Sequence, residues 1–210
     1  MGLAVLDPRR FFAIPRIYDA VQDFIGANEF KRLALSAQIP TDRRLRVLEV
    51  GCGPGRNLDY LPENVDYTGC DLSPDYIEHA RNRYGQRAQF HCLSVADLGK
   101  LNLDKFDIVM AIGVLHHLND DLVRSLARQT IPVLESDGFF LAVEPCWTAR
   151  QSWLNRKIMS FDRGEDIRKI EGYVGLLKES FGNVEGRESD TKMIVYPTSA
   201  CVIRAKAAAA

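Results

Sequence analysis

Several classes of protein need features that this 210-residue chain lacks. It has no surplus of one charge: 27 Lys and Arg stand against 28 Asp and Glu, a formal net charge of -1. Neutralising a phosphate backbone takes clustered Lys and Arg, so this balance argues against a nucleic-acid partner. The short run Arg43, Arg44, Arg46 reads as a solvated lead-in to a strand. The five cysteines, Cys52, Cys70, Cys92, Cys146 and Cys201, include no CxxC pair, which argues against a zinc site. Their odd count and apolar neighbours fit reduced thiols and a cytoplasmic setting. No signal-peptide core opens the sequence, and no run approaches the roughly eighteen apolar residues of a membrane span. Also missing are internal repeats and the His-and-carboxylate spacing of a metal site, so no metal is expected. Residues 207–210, the end of KAAAA, read as an appended tail.

What is present is an alternation. Apolar runs at 45–50, 66–70, 88–93, 106–111 and 138–143 predict strands. Helical spacing predicts helices at 17–26, 28–39, 56–61, 74–84, 97–103 and 120–135. Ser73 and Pro74 supply a cap and a first-turn proline for the 74–84 helix. Beyond 144, a helix, a loop and a second helix over 148–181 precede strands at 183–188 and 193–204. The expected fold is α/β: a Rossmann-like, doubly wound, mostly parallel seven-stranded sheet with helices on both faces. One domain is expected over 1–206, with a helical lid at 1–40, a cofactor-binding core at 41–144 and a substrate-side half at 145–206. Sheets of this type bind ligands at the carboxyl ends of their strands.

The first strand runs into VLEVGCGPG (47–55) and the second into YTGCDLSP (67–74). Glycine lets a backbone turn tightly and a ligand approach closely. The dinucleotide fingerprint G-x-G-x-x-G is not met, because Arg56 stands at the third glycine's place. The pattern is instead G-x-G-x-G, with Glu49 two residues ahead. Asp71 ends the second strand, where a carboxylate accepts from both ribose hydroxyls. Together these describe a nucleoside with a small charged appendage rather than a pyrophosphate.

With FDIVMAIGVLHHL (106–118), these stretches make residues 44–144 resemble the class I methyltransferases that use S-adenosylmethionine, in particular small bacterial members. The resemblance implies the fold above, S-adenosyl-L-methionine as cofactor and S-adenosyl-L-homocysteine as product. It implies that Gly51, Cys52, Gly53 and Gly55 line the methionine part and that Glu49 orients the turn or the amino group. Asp71 would hold the ribose, Leu72 would pack on the adenine, and Ala111 would offer its carbonyl. The family's adenine-binding aspartate after the third strand is replaced by Ser94, followed by Val95; Asp97 is the nearest acid. Segment 144–164 resembles a bacterial subgroup associated with surface-polysaccharide or secondary-metabolite gene clusters.

Methyl transfer to a hydroxyl needs a base as well as positioning. His117 is the first candidate, Glu144 the second, with a structural hydrogen bond to a neighbouring loop as its alternative, and His116 the third. Being adjacent, the two histidines are not expected to face the same way. Arg163, Trp147 and Tyr196 are expected to contact the acceptor; Arg168 is a candidate carboxylate or phosphate clamp, or part of a solvated helix face. A nucleophilic Cys146 after Pro145 is disfavoured, because cytosine methyltransferases place that pair after the fourth strand. The absence of Asn/Asp-Pro-Pro-aromatic after the fourth strand argues against DNA. The expected partner is a small-molecule acceptor, an O or N atom of a sugar or natural-product intermediate. No nucleic acid and no membrane are expected, and the protein is a monomer or homodimer. Two alternatives stay open: a non-catalytic nucleoside-binding module and an NAD-dependent dehydrogenase.

Overall fold

The computed structural model describes residues 27–100, 104–160, 166–189 and 199–208. Seven strands form one sheet in the order β3-β2-β1-β4-β5-β7-β6. In chain order they are β1 (Leu45–Val50), β2 (Val65–Asp71), β3 (Ala88–Cys92), β4 (Phe106–Ile112), β5 (Leu134–Pro145), β6 (Asn183–Ser189) and β7 (Ala200–Lys206). The first five are parallel; β7 runs antiparallel between β5 and β6. Strand order reverses between β1 and β4, which opens a crevice at their carboxyl ends.

The central strands are apolar on both faces because helices cover both. On one face Leu48, Val109 and Phe140 pack with Leu126 of α3 (Asp120–Thr130) and Tyr173 of α5 (Ile170–Lys178). On the other, Val47, Ile108 and Met110 pack with Leu35 of α1 (Ala27–Ser36) and Ile77 of α2 (Pro74–Tyr84). A large side chain buried this fully contributes about 1.5–3 kcal/mol, so these two layers are the main source of stability. The short α4 (Trp153–Met159) follows β5.

Local chemistry explains most boundaries. The Ser73 hydroxyl accepts from the Tyr76 N–H and Pro74 sits at the first helical position, so α2 starts where predicted. Asn119 caps α3 in the same way, with Asp120 and Asp121 in its first turn. The 120–135 prediction is too long: Pro132 breaks the helix ladder, and 131–133 tightens into a 3-10 turn. Conversely, β5 begins four residues before the predicted 138, at Leu134. A register shift against β4 carries the polar run Glu135–Asp137, and a Cβ at Gly138 would lie 3.0 Å from three backbone carbonyls. The predicted helix at 56–61 is a five-residue 3-10 turn, Arg56–Tyr60, and that near 97–103 is a 3-10 turn over Val95–Lys100. The predicted helix at 17–26 and most of the expected lid lie outside the described residues, as do residues 193–198 of the last predicted strand.

Candidate functional site

The glycine turn leaves β1 with Gly51, Gly53 and Gly55 at φ values of 69°, 54° and 81°. Only glycine adopts this left-handed region freely. At Gly51 a Cβ would lie 2.6 Å from the Val114 side chain, so the turn packs directly under the loop that follows β4. Above Gly53 no atom lies within 4 Å of a built Cβ, which leaves open space on the turn.

The turn's amides are already in use. The Gly51 and Cys52 N–H groups donate to the Cys70 carbonyl at 2.7 and 3.0 Å, and the Gly55 N–H to the Cys52 carbonyl at 3.0 Å. The Gly53 N–H donates to Asp71 Oδ2 at 2.9 Å. Pro54 has no N–H. Residues 51–55 therefore form no phosphate cradle, and the 3-10 turn behind them is too short for a helix dipole.

Asp71 joins the turn to β2. Its Oδ1 accepts from the Ser73 N–H at 2.8 Å while Oδ2 holds Gly53. A carboxylate has about four lone-pair sites, so each oxygen keeps capacity for a further donor. Next to it Leu72 is 67% exposed, an apolar wall beside the acid. Across the strand ends, the Ser94 hydroxyl accepts from the Ala96 N–H at 3.2 Å, and the Asp97 N–H donates to the Ser94 carbonyl. Val95 opens the 3-10 turn there, and Ala111 is buried near the end of β4.

Glu49 lies fully buried beneath the turn. The Tyr67 hydroxyl and the Asn57 amide donate to its two oxygens. Burial pushes its carboxyl up to about 7, against the lowering effect of those two hydrogen bonds. The Asn57 amide oxygen is buried and accepts from no donor among the described residues. A polar atom in that state asks for a partner, and it sits one turn beyond the glycines. Neither Asn57 nor Tyr67 was expected from sequence. A signal existed for Asn57, a polar residue between the glycines and Leu58 at a position that folds inward.

The fourth-strand loop is organised by Glu144 at the end of β5. Its Oε1 accepts from the Val114 and Leu115 N–H groups, each at 2.9 Å, and its Oε2 from the His116 N–H at 3.3 Å. Nδ1 of His116 lies 2.7 Å from the same Oε2. Glu144 and His116 are buried, whereas His117 is exposed. The two rings lie 4.0 Å apart, one inside the loop and one at its surface.

Arg168 fastens the same loop from beneath. Its guanidinium donates to the carbonyls of Leu115, Leu118 and Asp166 at 3.1, 2.8 and 2.8 Å and pairs with Asp120 at 2.7 Å. Only 11% of its side chain is exposed. Arg168 is thus neither a solvated face residue nor a clamp for a foreign anion, as its sequence context had suggested: its donors serve the protein's own backbone. Cys146 is fully buried and shares a hydrogen bond with Cys201, whose thiol that bond and burial hold above its ordinary value.

Beyond β5 a cavity of about 750 Å³ is lined by Trp147, Thr148, Ala149, Arg156, Lys169, Glu171 and Glu188. Of the three residues expected to contact the acceptor, Trp147 lines it; Arg163 and Tyr196 lie outside the described residues. Arg156, Lys169, Glu171 and Glu188 carried no sequence signal, since exposed charges on helices and edge strands are ordinary. Among the described residues no group of His, Cys, Asp and Glu could hold a metal ion, and no helix is long and apolar enough to cross a membrane.

Residues 47–138 match a family model described as a methyltransferase domain. The chain is 29% identical over 160 residues to a malonyl-[acyl-carrier protein] O-methyltransferase of Acetivibrio thermocellus, covering 70% of this chain and 56% of that protein. It thus spans little more than half of that relative's length. Among solved structures, a TehB-like SAM-dependent methyltransferase from Corynebacterium glutamicum superposes with a TM-score of 0.65 at 20% identity, covering 93% of this chain and 98% of that one. Human N-acetylserotonin methyltransferase in complex with SAM superposes with a TM-score of 0.67 at 16% identity, covering 92% and 55%. At these identities the superpositions establish a shared fold.

Proposed function

We propose, from the premise that this chain is a class I S-adenosylmethionine-dependent methyltransferase, that it methylates an oxygen or nitrogen of a small-molecule acceptor, a sugar or natural-product intermediate. One observation carries the choice of cofactor. The glycine turn has left-handed backbone and open space above it, yet all its amides are spent inside the protein. A pyrophosphate would find no donor there, so the turn suits a ligand that needs close approach without an anion cradle. That disfavours the dinucleotide alternative.

The residues present fit S-adenosylmethionine. Gly51, Cys52, Gly53 and Gly55 border its methionine part, and the unsatisfied Asn57 oxygen is a ready acceptor for the ammonium group. Glu49, consumed by Asn57 and Tyr67, orients the turn rather than touching the ligand. Asp71 receives the ribose hydroxyls on its remaining lone pairs, and Leu72 offers the adenine an apolar wall. Ser94, Val95 and Asp97 border the adenine edge, and Ala111 lies toward the methionine end. The bound cofactor supplies an activated methyl group on a sulfonium.

The chain's own contribution is positioning and proton removal. His117 is exposed in the turn that follows β4, and its imidazole takes a proton from a hydroxyl or ammonium acceptor. Glu144 and His116 were further candidate bases from sequence; in this reading they hold the loop that presents His117. Glu144 has four donors on two buried oxygens, which leaves it no acceptor to deprotonate.

Thermal unfolding with S-adenosylmethionine, S-adenosylhomocysteine and NAD tests the cofactor. A ligand at about a hundred times its Kd adds about 2.7 kcal/mol, roughly 5–10 °C for a chain of this length. A shift with both adenosyl ligands and none with NAD is expected; a shift with NAD alone overturns the proposal. With an acceptor in hand, His117→Ala is expected to lower kcat about hundredfold at unchanged cofactor affinity. Full activity in that variant would leave proximity alone as the chemistry.

A further inference from the structure

The cavity beyond β5 does not belong to the cofactor crevice. None of the glycines, nor Asp71, nor His117 lines it. In the sheet order, β5 is two strands from β1 and β6 is four. At about 4.8 Å per strand the cavity stands roughly 10–19 Å along the sheet from the glycine turn. Its volume of about 750 Å³ falls within the range of small-molecule sites.

The lining is charged in both signs. Arg156 comes from α4, Lys169 and Glu171 from the start of α5, and Glu188 from β6. Glu188 shares a strand face with Gly186, where a built Cβ would lie 2.9 Å from Val174 and 3.0 Å from Ile170 of α5. That face turns Glu188 toward the first turn of the same helix. Opposite charges this close in sequence and space usually pair. Yet among the described residues no ion pair joins any of these four to one another or to another residue. Arg156 spends one donor on the Thr148 carbonyl at 3.2 Å and keeps the rest. Trp147 adds an aromatic face, half-buried, whose backbone N–H is fixed to the Arg168 carbonyl at 3.0 Å. Cations and acids that line one cavity without pairing are arranged for a ligand that carries both signs. A purely anionic ligand would meet Glu171 and Glu188, and a purely cationic one Arg156 and Lys169.

We infer that this cavity holds the far end of an elongated acceptor, and that this end is zwitterionic: an anionic group on Arg156 and Lys169, and a cationic group on Glu171, Glu188 and the Trp147 face. The inference rests on reading the chain as a methyltransferase. The reacting atom then lies at the β1–β4 crevice, roughly 10 Å or more away, which sets the minimum length of the acceptor.

The chain has two tryptophans, Trp147 and Trp153, and Trp153 is 74% exposed outside the cavity. In a Trp153→Phe background Trp147 becomes the only indole reporter. Its fluorescence is titrated with succinate, 4-aminobutyrate and 1,4-diaminobutane, which share a four-carbon chain and differ in charge. The zwitterion is expected to saturate the signal about tenfold more tightly than either of the others. Arg156→Gln and Glu188→Gln should each weaken it by about the same factor, with S-adenosylhomocysteine affinity unchanged. Absence of saturation with all three probes, equal or tighter binding of the diacid or diamine, or indifference to both substitutions overturns the inference. Failure of the unsubstituted chain to bind S-adenosylhomocysteine would instead overturn the methyltransferase reading, whatever the probes do.

Discussion

Two stretches of one sheet edge treat charge in opposite ways. Around β1, β2 and β4, acids are spent on the protein itself. Glu49 takes Asn57 and Tyr67, Asp71 takes two backbone amides, and Glu144 takes three amides and a histidine. Around β5 and β6 the four charged residues of the cavity stay unpaired among the described residues. The first region buys rigidity: three carboxylates fix the glycine turn and the histidine loop before any ligand arrives. The second leaves its four charges exposed. The division suits the proposed reading of a fixed cofactor beside a separate acceptor, because preorganisation helps only where the ligand never changes.

The comparison breaks first at Glu144. If it organises the loop, Glu144→Ala strands two buried N–H groups, a half-buried one and an imidazole and destabilises the fold by about 4 kcal/mol. That lowers Tm by roughly 8–16 °C. Were Glu144 a base instead, Glu144→Gln would abolish turnover at native Tm.

The next largest effect is in pH. The Glu49 carboxyl is raised from 4.5 to about 7, so between those values the folded state binds the proton that the unfolded state has lost. Stability from this group is therefore complete at the acid side, falls as pH rises through the window and is lost above about 7, a total of about 3 kcal/mol. Urea denaturation at several pH values should show that slope in the unsubstituted chain and not in Glu49→Gln. Equal slopes would mean that Glu49 stays ionised under the turn.

Smaller again is Asp71→Ala, expected to weaken S-adenosylhomocysteine binding at least about tenfold, or 1.4 kcal/mol, by calorimetry. Unchanged affinity would remove Asp71 from the ribose. The smallest effect sharpens the contrast from the other side. Glu188→Gln should leave ligand-free stability within about 0.5 kcal/mol, because nothing described depends on that charge. A larger loss would show that the cavity charges are structural.

The strands that build the crevice were legible because each is a short apolar run closed by a glycine or an acid. The Ser73–Pro74 cap is a local signal as well, read within one turn of chain; the Asn119 cap is equally local but was seen only in the structure. Glu49 and Asp71 were placed in the site by motif, but their partners were not. Tyr67 looked like any strand aromatic, and Glu144 stood as a candidate base with a structural alternative. Arg168 stood out as a clamp or a solvated face residue, but nothing in the sequence pointed to the Leu115 carbonyl it holds 53 residues away.

The sequence by itself determined the alternation of strands and helices, the left-handed turn and the acid that follows it, because periodicity, caps and glycine conformations act over a few neighbouring residues. Tertiary structure alone decided what each charge is for. Whether a carboxylate serves as a base, a tether or a free ligand site depends on the donors that reach it, and those arrive from strands and loops far along the chain.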